Sequence, residues 1–342
     1  MSTAAPARKG AASAASSRRK PVLRGGIDLG GTKIQAAVVA ARGKVLGDAR
    51  HPTPTSGGPE DVAAQMAAAL VEAAEKAGTK PADLAGVGVG SPGTVDERTG
   101  AVSNARNLPG WDGSFPLGER LSEQLGTGVR VGNDVQVATD AEARLGAGRP
   151  YKSLLGVFWG TGVGGGLVLK DKPWLGRGAA GEFGHMVVKL GGARCPCGRR
   201  GCIEAYAGRA AMEAKARSDH ADGKHTDLFK IMEERGRDRL TSAVWERALH
   251  HKDPMAERLI ERAMRALAAG IASAVNLLDV EAVIIGGGIG MRLGEPYVKK
   301  IEKRMAKHLF VPERPPAVHL AALGDFGGAI GASLLWRPVG SR

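Results

Sequence analysis

Short apolar runs broken by glycine turns alternate along this chain with stripes at helical spacing. The run over 26–29 ends in Gly30-Gly31-Thr32 and predicts a strand; 34–40 predicts a second and 44–48 a third, joined by tight turns. Pro59-Glu60-Asp61 then puts proline in a first helical turn and acids at its positive end. Val62, Met66, Leu70 and Ala73 continue that helix as an amphipathic stripe, and Gly78 stops it. The apolar run over 84–89 predicts a buried strand leading into Ser91-Pro92-Gly93, and Val129-Arg130-Val131 another with Asn133-Asp134 at its end. The pattern then restarts. A strand over 154–159, the turn Gly160-Thr161-Gly162 and a strand over 163–169 repeat the opening arrangement, a weak sign of internal duplication. Leu267, Ile271, Ala274 and Leu278 mark a buried helix, 280–285 a strand entering Gly286-Gly287-Gly288, and 326–335 a final helix. Strands alternating with helices predict an α/β fold with partly parallel sheets. The segment 212–252 is polar and helical in composition, with no role assigned.

Length and composition narrow this picture. A chain of 342 residues at about 150 per domain predicts two domains, and 43% hydrophobic residues can build a sizeable core. Aromatics at 4% argue against a surface that stacks nucleic-acid bases. The uncharged run 153–169 is short of the roughly 20 residues that span a bilayer, and its glycines make it strand, turn, strand. The N-terminus has no apolar signal region, so no membrane role and a cytoplasmic location are expected. The net charge is +13. Arg8, Lys9, Arg18, Arg19, Lys20 and Arg24 concentrate part of it in residues 1–24, expected to be a passive disordered tail. Such a balance suits anionic ligands without implying DNA binding.

The chemistry-bearing residues gather in a few places. All three cysteines fall in Cys195-Pro-Cys197-Gly-Arg-Arg-Gly-Cys202. Thiolates at this spacing can share one zinc ion, with His185 the nearest histidine for a fourth position; four protein ligands make such an ion structural. Reduced free thiols, or a redox pair with one thiol over, is the alternative. Asp28-Leu29-Gly30-Gly31-Thr32-Lys33 sets a carboxylate before a Gly-Thr turn that could cradle phosphate, with Mg²⁺ on the carboxylate, although taken alone it is better read as a hairpin turn. Gly160-Thr161-Gly162 is a weaker version of it, and Gly286-Gly287-Gly288 alone reads as a strand-to-helix turn. Asp134, at a strand end, could take a proton from a hydroxyl, but by itself Asn133-Asp134 is better read as an Asx turn or helix cap. Glu182, His185 and Glu204 lie near the cysteines in sequence.

Taken together these segments resemble the ROK family of repressors, open reading frames and sugar kinases, over roughly residues 25–336. The motifs are Asp28-Leu-Gly-Gly-Thr-Lys33, Ser91-Pro-Gly93, Asn107-Leu-Pro-Gly-Trp111, Asn133-Asp134, Gly160-Thr-Gly162, Gly181-Glu-Phe-Gly-His185 and Cys195-Pro-Cys-Gly-Arg-Arg-Gly-Cys202-Ile-Glu204. The resemblance implies an actin-like, hexokinase-like ATPase fold with a ribonuclease H-like duplication and a structural zinc loop. It implies a smaller domain of 25–138 plus about 322–338, and a larger one of 139–321. It implies ATP-dependent phosphorylation of a hexose at its 6-hydroxyl, with glucose expected and N-acetylmannosamine, N-acetylglucosamine or fructose as alternatives. Asp134 matches the family's catalytic base. Gly93, Asn133, Asp134, Glu182, His185 and Glu204 match its sugar positions. ATP and Mg²⁺ are expected at Asp28, Gly30, Gly31, Thr32, Lys33, Gly160, Thr161, Gly162, Gly286, Gly287 and Gly288, and Zn²⁺ at His185, Cys195, Cys197 and Cys202. The family's usual Ala-Asn after the Asn-Asp pair is replaced by Val135-Gln136. A non-catalytic sugar sensor or repressor is the alternative of another class, and the segment before Gly25 is too short for a winged helix. A homodimer or homotetramer is expected.

Overall fold

The computed structural model describes residues 22–105 and 108–336. The chain opens as a meander of β1 (Arg24–Leu29), β2 (Lys33–Val39) and β3 (Val45–Pro52), each antiparallel to the next. Arg24, expected in the tail, is instead the first strand residue and pairs with Val39; residues 1–21 of that expected tail and Asn107 of the Trp111 motif lie outside the described residues. In α1 (Pro59–Lys76) the Asp61 carboxylate accepts from the Gly58 amide at 2.8 Å, and the predicted stripe is buried.

The strand β4 (Val87–Ser91) starts later than predicted, after a 3-10 turn at Pro81–Asp83. A small sheet of β5 (Thr94–Asp96), β6 (Ala101–Ser103) and β7 (Ser114–Phe115) follows, then α2 (Leu117–Leu125), β8 (Val129–Asn133) and α3 (Asp134–Leu145). The first large sheet has the order β3-β2-β1-β4-β8, with β1, β4 and β8 parallel.

The restart in the sequence is a second sheet. It begins with β9 (Leu154–Trp159), β10 (Val163–Leu169) and β11 (Lys172–Pro173), again antiparallel. Then come α4 (Glu204–Ala207), α5 (Arg209–Ala221), α6 (Leu228–Glu234), α7 (Ser242–His250) and the long α8 (Pro254–Leu278). The unassigned segment 212–252 contributes Met212, Leu228, Leu240 and Trp245 to the core that α8 covers. The strand β12 (Ala282–Gly286), α9 (Gly287–Leu293), α10 (Glu295–Ala306) and β13 (Ala317–Leu320) complete it, in the order β11-β10-β9-β12-β13. Both sheets therefore run antiparallel, antiparallel, parallel, parallel, and the duplication is topological rather than a matter of shared sequence.

The last helix, α11 (Gly327–Ser333), is shorter than predicted and returns to the first sheet, where Gly26 and Gly88 leave no room for side chains beneath the Ala329 and Ala332 carbonyls. The helix α3 touches both halves. It packs on α11 and lies along β10, where Gly164 and Gly166 admit it against Val135 and Gln136. The replaced motif residue Gln136 is buried and acts as a strand neighbour: its Nε2 donates to the Leu167 carbonyl at 3.0 Å and its Oε1 accepts from the Leu167 amide at 2.9 Å. Among the described residues, no helix is long and apolar enough to cross a membrane.

Candidate active site

Parallel pairing decides which residues meet. Asp28 on β1 stands beside Gly90 on β4, and Ser91 at the end of β4 stands beside Asn133 at the end of β8. Asp28, Gly93, Asn133 and Asp134 thus collect at the carboxyl edge of one sheet, where α/β proteins bind ligands. The turn after β1 is closed by the Gly30 amide on the Lys33 carbonyl at 2.9 Å. Thr53, buried and not marked by any motif, clamps it: its hydroxyl donates to the Gly30 carbonyl at 2.7 Å. Gly31, Thr32 and Lys33 face the cleft from this turn.

Asn133 caps α3, its Oδ1 accepting from the amides of Val135 at 3.1 Å and Gln136 at 3.0 Å. The cap reading of Asn133-Asp134 is therefore correct for Asn133, and the helix so started aims Asp134 into the cleft. Burial pushes the Asp134 carboxyl up to about 7, with the charges of Asp28 and Glu182 adding to it and the Val135 amide, 2.9 Å away, opposing it. Burial also pushes Asp28 up to about 6, against the pull of Lys33. Gly328 makes room for Asp28, since a methyl group there would stand 2.5 Å from the carboxyl carbon.

The second sheet presents the equivalent edge. Its β9–β10 turn, Gly160-Thr161-Gly162, occupies the place that Gly30-Gly31-Thr32 holds in the first. Gly287, at φ +80°, passes so near Trp159 that a methyl group would lie 2.6 Å from its backbone; Gly288 comes next to Gly160. Gly287 and Gly288 line the cleft, but Gly286 does not: it is the buried last residue of β12, paired with Phe158. Strand pairing holds Gly286 inside the sheet, one residue back from the two that line the cleft.

His185, Cys195, Cys197 and Cys202 converge, their ligand atoms all within 4.8 Å of one another. A tetrahedral ion with zinc–sulfur bonds of about 2.3 Å sets sulfurs about 3.8 Å apart; Cys197 and Cys202 Sγ are 3.8 Å apart, and Cys195 Sγ is 3.8 Å from His185 Nδ1. The donor set therefore fits zinc. Cys195 and Cys202 are buried beneath the cleft wall, while Cys197 reaches it. The imidazole faces two ways, with Nδ1 on the cysteines and Nε2 toward the Glu182 carboxylate at 3.9 Å. Glu204 joins this loop to the glycine turn. Its Oε2 accepts from the Val163 amide at 3.0 Å, and Oε1 lies 3.9 Å from Cys195 Sγ.

All these edges face one cleft of about 2430 Å³ between the two sheets. It brings together every expected site residue except Gly286, Cys195 and Cys202. It also holds residues that the motifs did not mark, among them Asn104 at φ +57°, Arg209, Ser242 and Glu246. Only the return of α5 to the β9–β10 turn and of α7 to α9 puts the last three there, and no local pattern announces it.

A model of the ROK family matches residues 24–339. A glucokinase of Thermotoga maritima is 31% identical over 285 residues, covering 83% of this chain and 87% of that one. An N-acetyl-D-glucosamine kinase of Salmonella paratyphi A is 31% identical over 324 residues, 91% of this chain and 98% of that one. Among solved structures, a ROK family glucokinase from Streptomyces griseus in complex with glucose and AMPPNP is 33% identical, with a TM-score of 0.78 over 92% of this chain and 98% of that one. With its motifs set around one cleft between duplicated sheets, and with these relatives spanning nearly its whole described length, the chain belongs to the ROK family.

Proposed function

We propose that this protein is an ATP-dependent hexose kinase that transfers the γ-phosphoryl group to the 6-hydroxyl of glucose. The observation that carries it is Asp134, a carboxyl pushed up to about 7 that faces the cleft lined by both glycine turns. A base of that strength can accept a hydroxyl proton near neutral pH. Asn133 has its side-chain oxygen committed to α3, which leaves its amide nitrogen to serve a sugar hydroxyl. Gly93, Glu182, His185 and Glu204 complete the sugar site in this reading. The turn Gly30-Gly31-Thr32-Lys33, with Asp28, and the turns Gly160-Thr161-Gly162 and Gly287-Gly288 receive ATP from the other side.

Mg²⁺ held through Asp28 would offset charge on the phosphates. Zn²⁺ on His185, Cys195, Cys197 and Cys202 would have no open position and would act by fixing the loop. Fixing Nδ1 of His185 leaves Nε2 oriented toward the sugar. Asp134 takes the proton of the 6-hydroxyl as its oxygen attacks, and backbone amides of the turns stabilise the phosphoryl oxygens, so catalysis is positioning and electrostatics. The two sheets form two lobes in this reading, 25–138 with 322–338 and 139–321.

Glucose as the sugar is supported by the Thermotoga and Streptomyces relatives; N-acetylglucosamine is the second reading, supported by the Salmonella one. The test is sugar-phosphate formation with ATP from glucose, N-acetylglucosamine, N-acetylmannosamine and fructose. Glucose 6-phosphate as the dominant product is expected. Dominance of an N-acetylhexosamine would replace the sugar, and ATP turnover with none of them would remove the kinase reading.

A further inference from the structure

Arg209 is the first residue of α5 and lines the cleft beside the Gly160-Thr161-Gly162 turn. The helix start grips that turn by its backbone: the amides of Arg209 and Ala210 donate to the carbonyls of Gly160 and Thr161, each at 3.1 Å. The guanidinium, partly buried, donates through Nη2 to the Thr161 hydroxyl at 2.8 Å and through Nη1 to the Leu240 carbonyl at 3.2 Å. Both acceptors are neutral. Among the described residues Arg209 has no carboxylate partner. The acid whose charge reaches it, Glu213, is already held by Arg217 at 2.7 Å and by the Leu240 amide at 3.1 Å. Burial and the neighbouring Arg239, which also lines the cleft, both disfavour its charge. A cation partly withdrawn from water beside a second cation, its charge offset only by an acid that is bonded elsewhere, is favoured when an anion arrives.

We propose that Arg209 binds the β- and γ-phosphates of the phosphoryl donor, acting both directly and through Thr161. A hydroxyl that accepts from a guanidinium has its own proton left to donate elsewhere. Arg209 therefore fixes Thr161 as a donor toward the cleft, while the remaining guanidinium N–H groups offer a charge-assisted bond to the same phosphates. Arg239 adds to the field without a fixed contact. The adenosine end and the sugar lie outside this contact, so the effect should scale with the number of phosphates.

The inference rests on the kinase reading, and binding measured without turnover separates the two. Calorimetry on the full chain would compare AMPPNP, ADP, AMP and glucose for the wild type, Arg209→Ala, Arg209→Lys, Thr161→Val and the double variant. Arg209→Ala should weaken AMPPNP and ADP by about 10- to 100-fold, the range of a charge-assisted hydrogen bond. It should leave AMP and glucose nearly unchanged, and Arg209→Lys should recover part of the loss. Arg209→Ala and Thr161→Val should combine less than additively, because they share one bond. Turnover should show a raised KM for ATP with the KM for sugar unchanged. Unaltered ADP binding in Arg209→Ala, or an equal loss for AMP and ADP, would overturn the proposal. A wild type that binds AMPPNP but phosphorylates no sugar would remove the kinase reading, while the same titrations still decide Arg209. A wild type that binds no nucleotide removes both.

Discussion

Asp134 carries a cost that only its chemistry explains. An aspartate in the unfolded chain titrates near 3.8, and here burial lifts it to about 7. A carboxyl raised on folding contributes stability that is present below about 3.8 and lost as pH rises through about 7, so at neutral pH and above the ionised group destabilises the fold. Asp134→Asn should therefore melt a few degrees higher than the wild type at pH 8, with a smaller gain at pH 5, in paired thermal melts. In the proposed reaction the same substitution removes the proton acceptor, and turnover should fall by about 10²-fold or more with glucose affinity kept. Wild-type kcat/KM should rise as pH increases through about 7, as the base deprotonates. A variant with near-normal turnover, or a profile flat from pH 5 to 8, would contradict the role.

At the scale of elements, two connections hold the site. The first is α3 on β10. Gln136→Leu leaves the buried Leu167 amide without its side-chain partner, while the Leu167 carbonyl keeps the bond from the Trp174 amide at 2.8 Å. One such orphan costs about 1–3 kcal/mol, and urea unfolding should show a loss of that size. A loss within error would mean that water takes over these bonds. The second is the cysteine loop. Removing a ligand by Cys197→Ser should lower bound zinc per chain and lower the melting temperature, because metal binding adds to folding. From spacing alone the loss would fall on the sugar, since the phosphate turns lie elsewhere in the sequence. Glu204 changes that expectation: it touches Cys195 and also bonds the Val163 amide behind Gly160-Thr161-Gly162. Sugar affinity should fall most, by about tenfold or more for a lost charge-assisted bond, and nucleotide affinity should fall as well. Titrations of both ligands in the variant decide between a local and a shared loss.

For the whole molecule, the two sheets meet across one cleft, and α3 reaches both. A cleft of about 2430 Å³ is larger than the roughly 300–1,000 Å³ of an ordinary ligand site. Transfer to a sugar rather than to water requires that this space be reduced once both substrates are bound. Small-angle scattering should show a smaller radius of gyration with glucose and AMPPNP together than with either alone. An unchanged radius would mean that the lobes do not close on their ligands.

The sequence determined what depends on neighbours along the chain. The helix of Pro59–Lys76 was legible from proline, acids and a stripe of four apolar residues, and the strand–turn–strand units from glycines between apolar runs. The cysteine cluster was legible because a tetrahedral site can be built from ligands close in sequence. Tertiary structure decided what depends on residues far apart. Gly286 could not be separated from Gly287 and Gly288 by composition, because strand pairing with Phe158 keeps it in the sheet. The duplication of the two sheets was faint in the sequence, since topology is fixed by which strands pair and not by which residues recur. Thr53, Arg209 and the two-sided contact of Glu204 carried no local signal, for each works on a turn supplied by another element. Only packing puts them there, because a hydrogen bond across the fold leaves no period or motif in the chain that makes it.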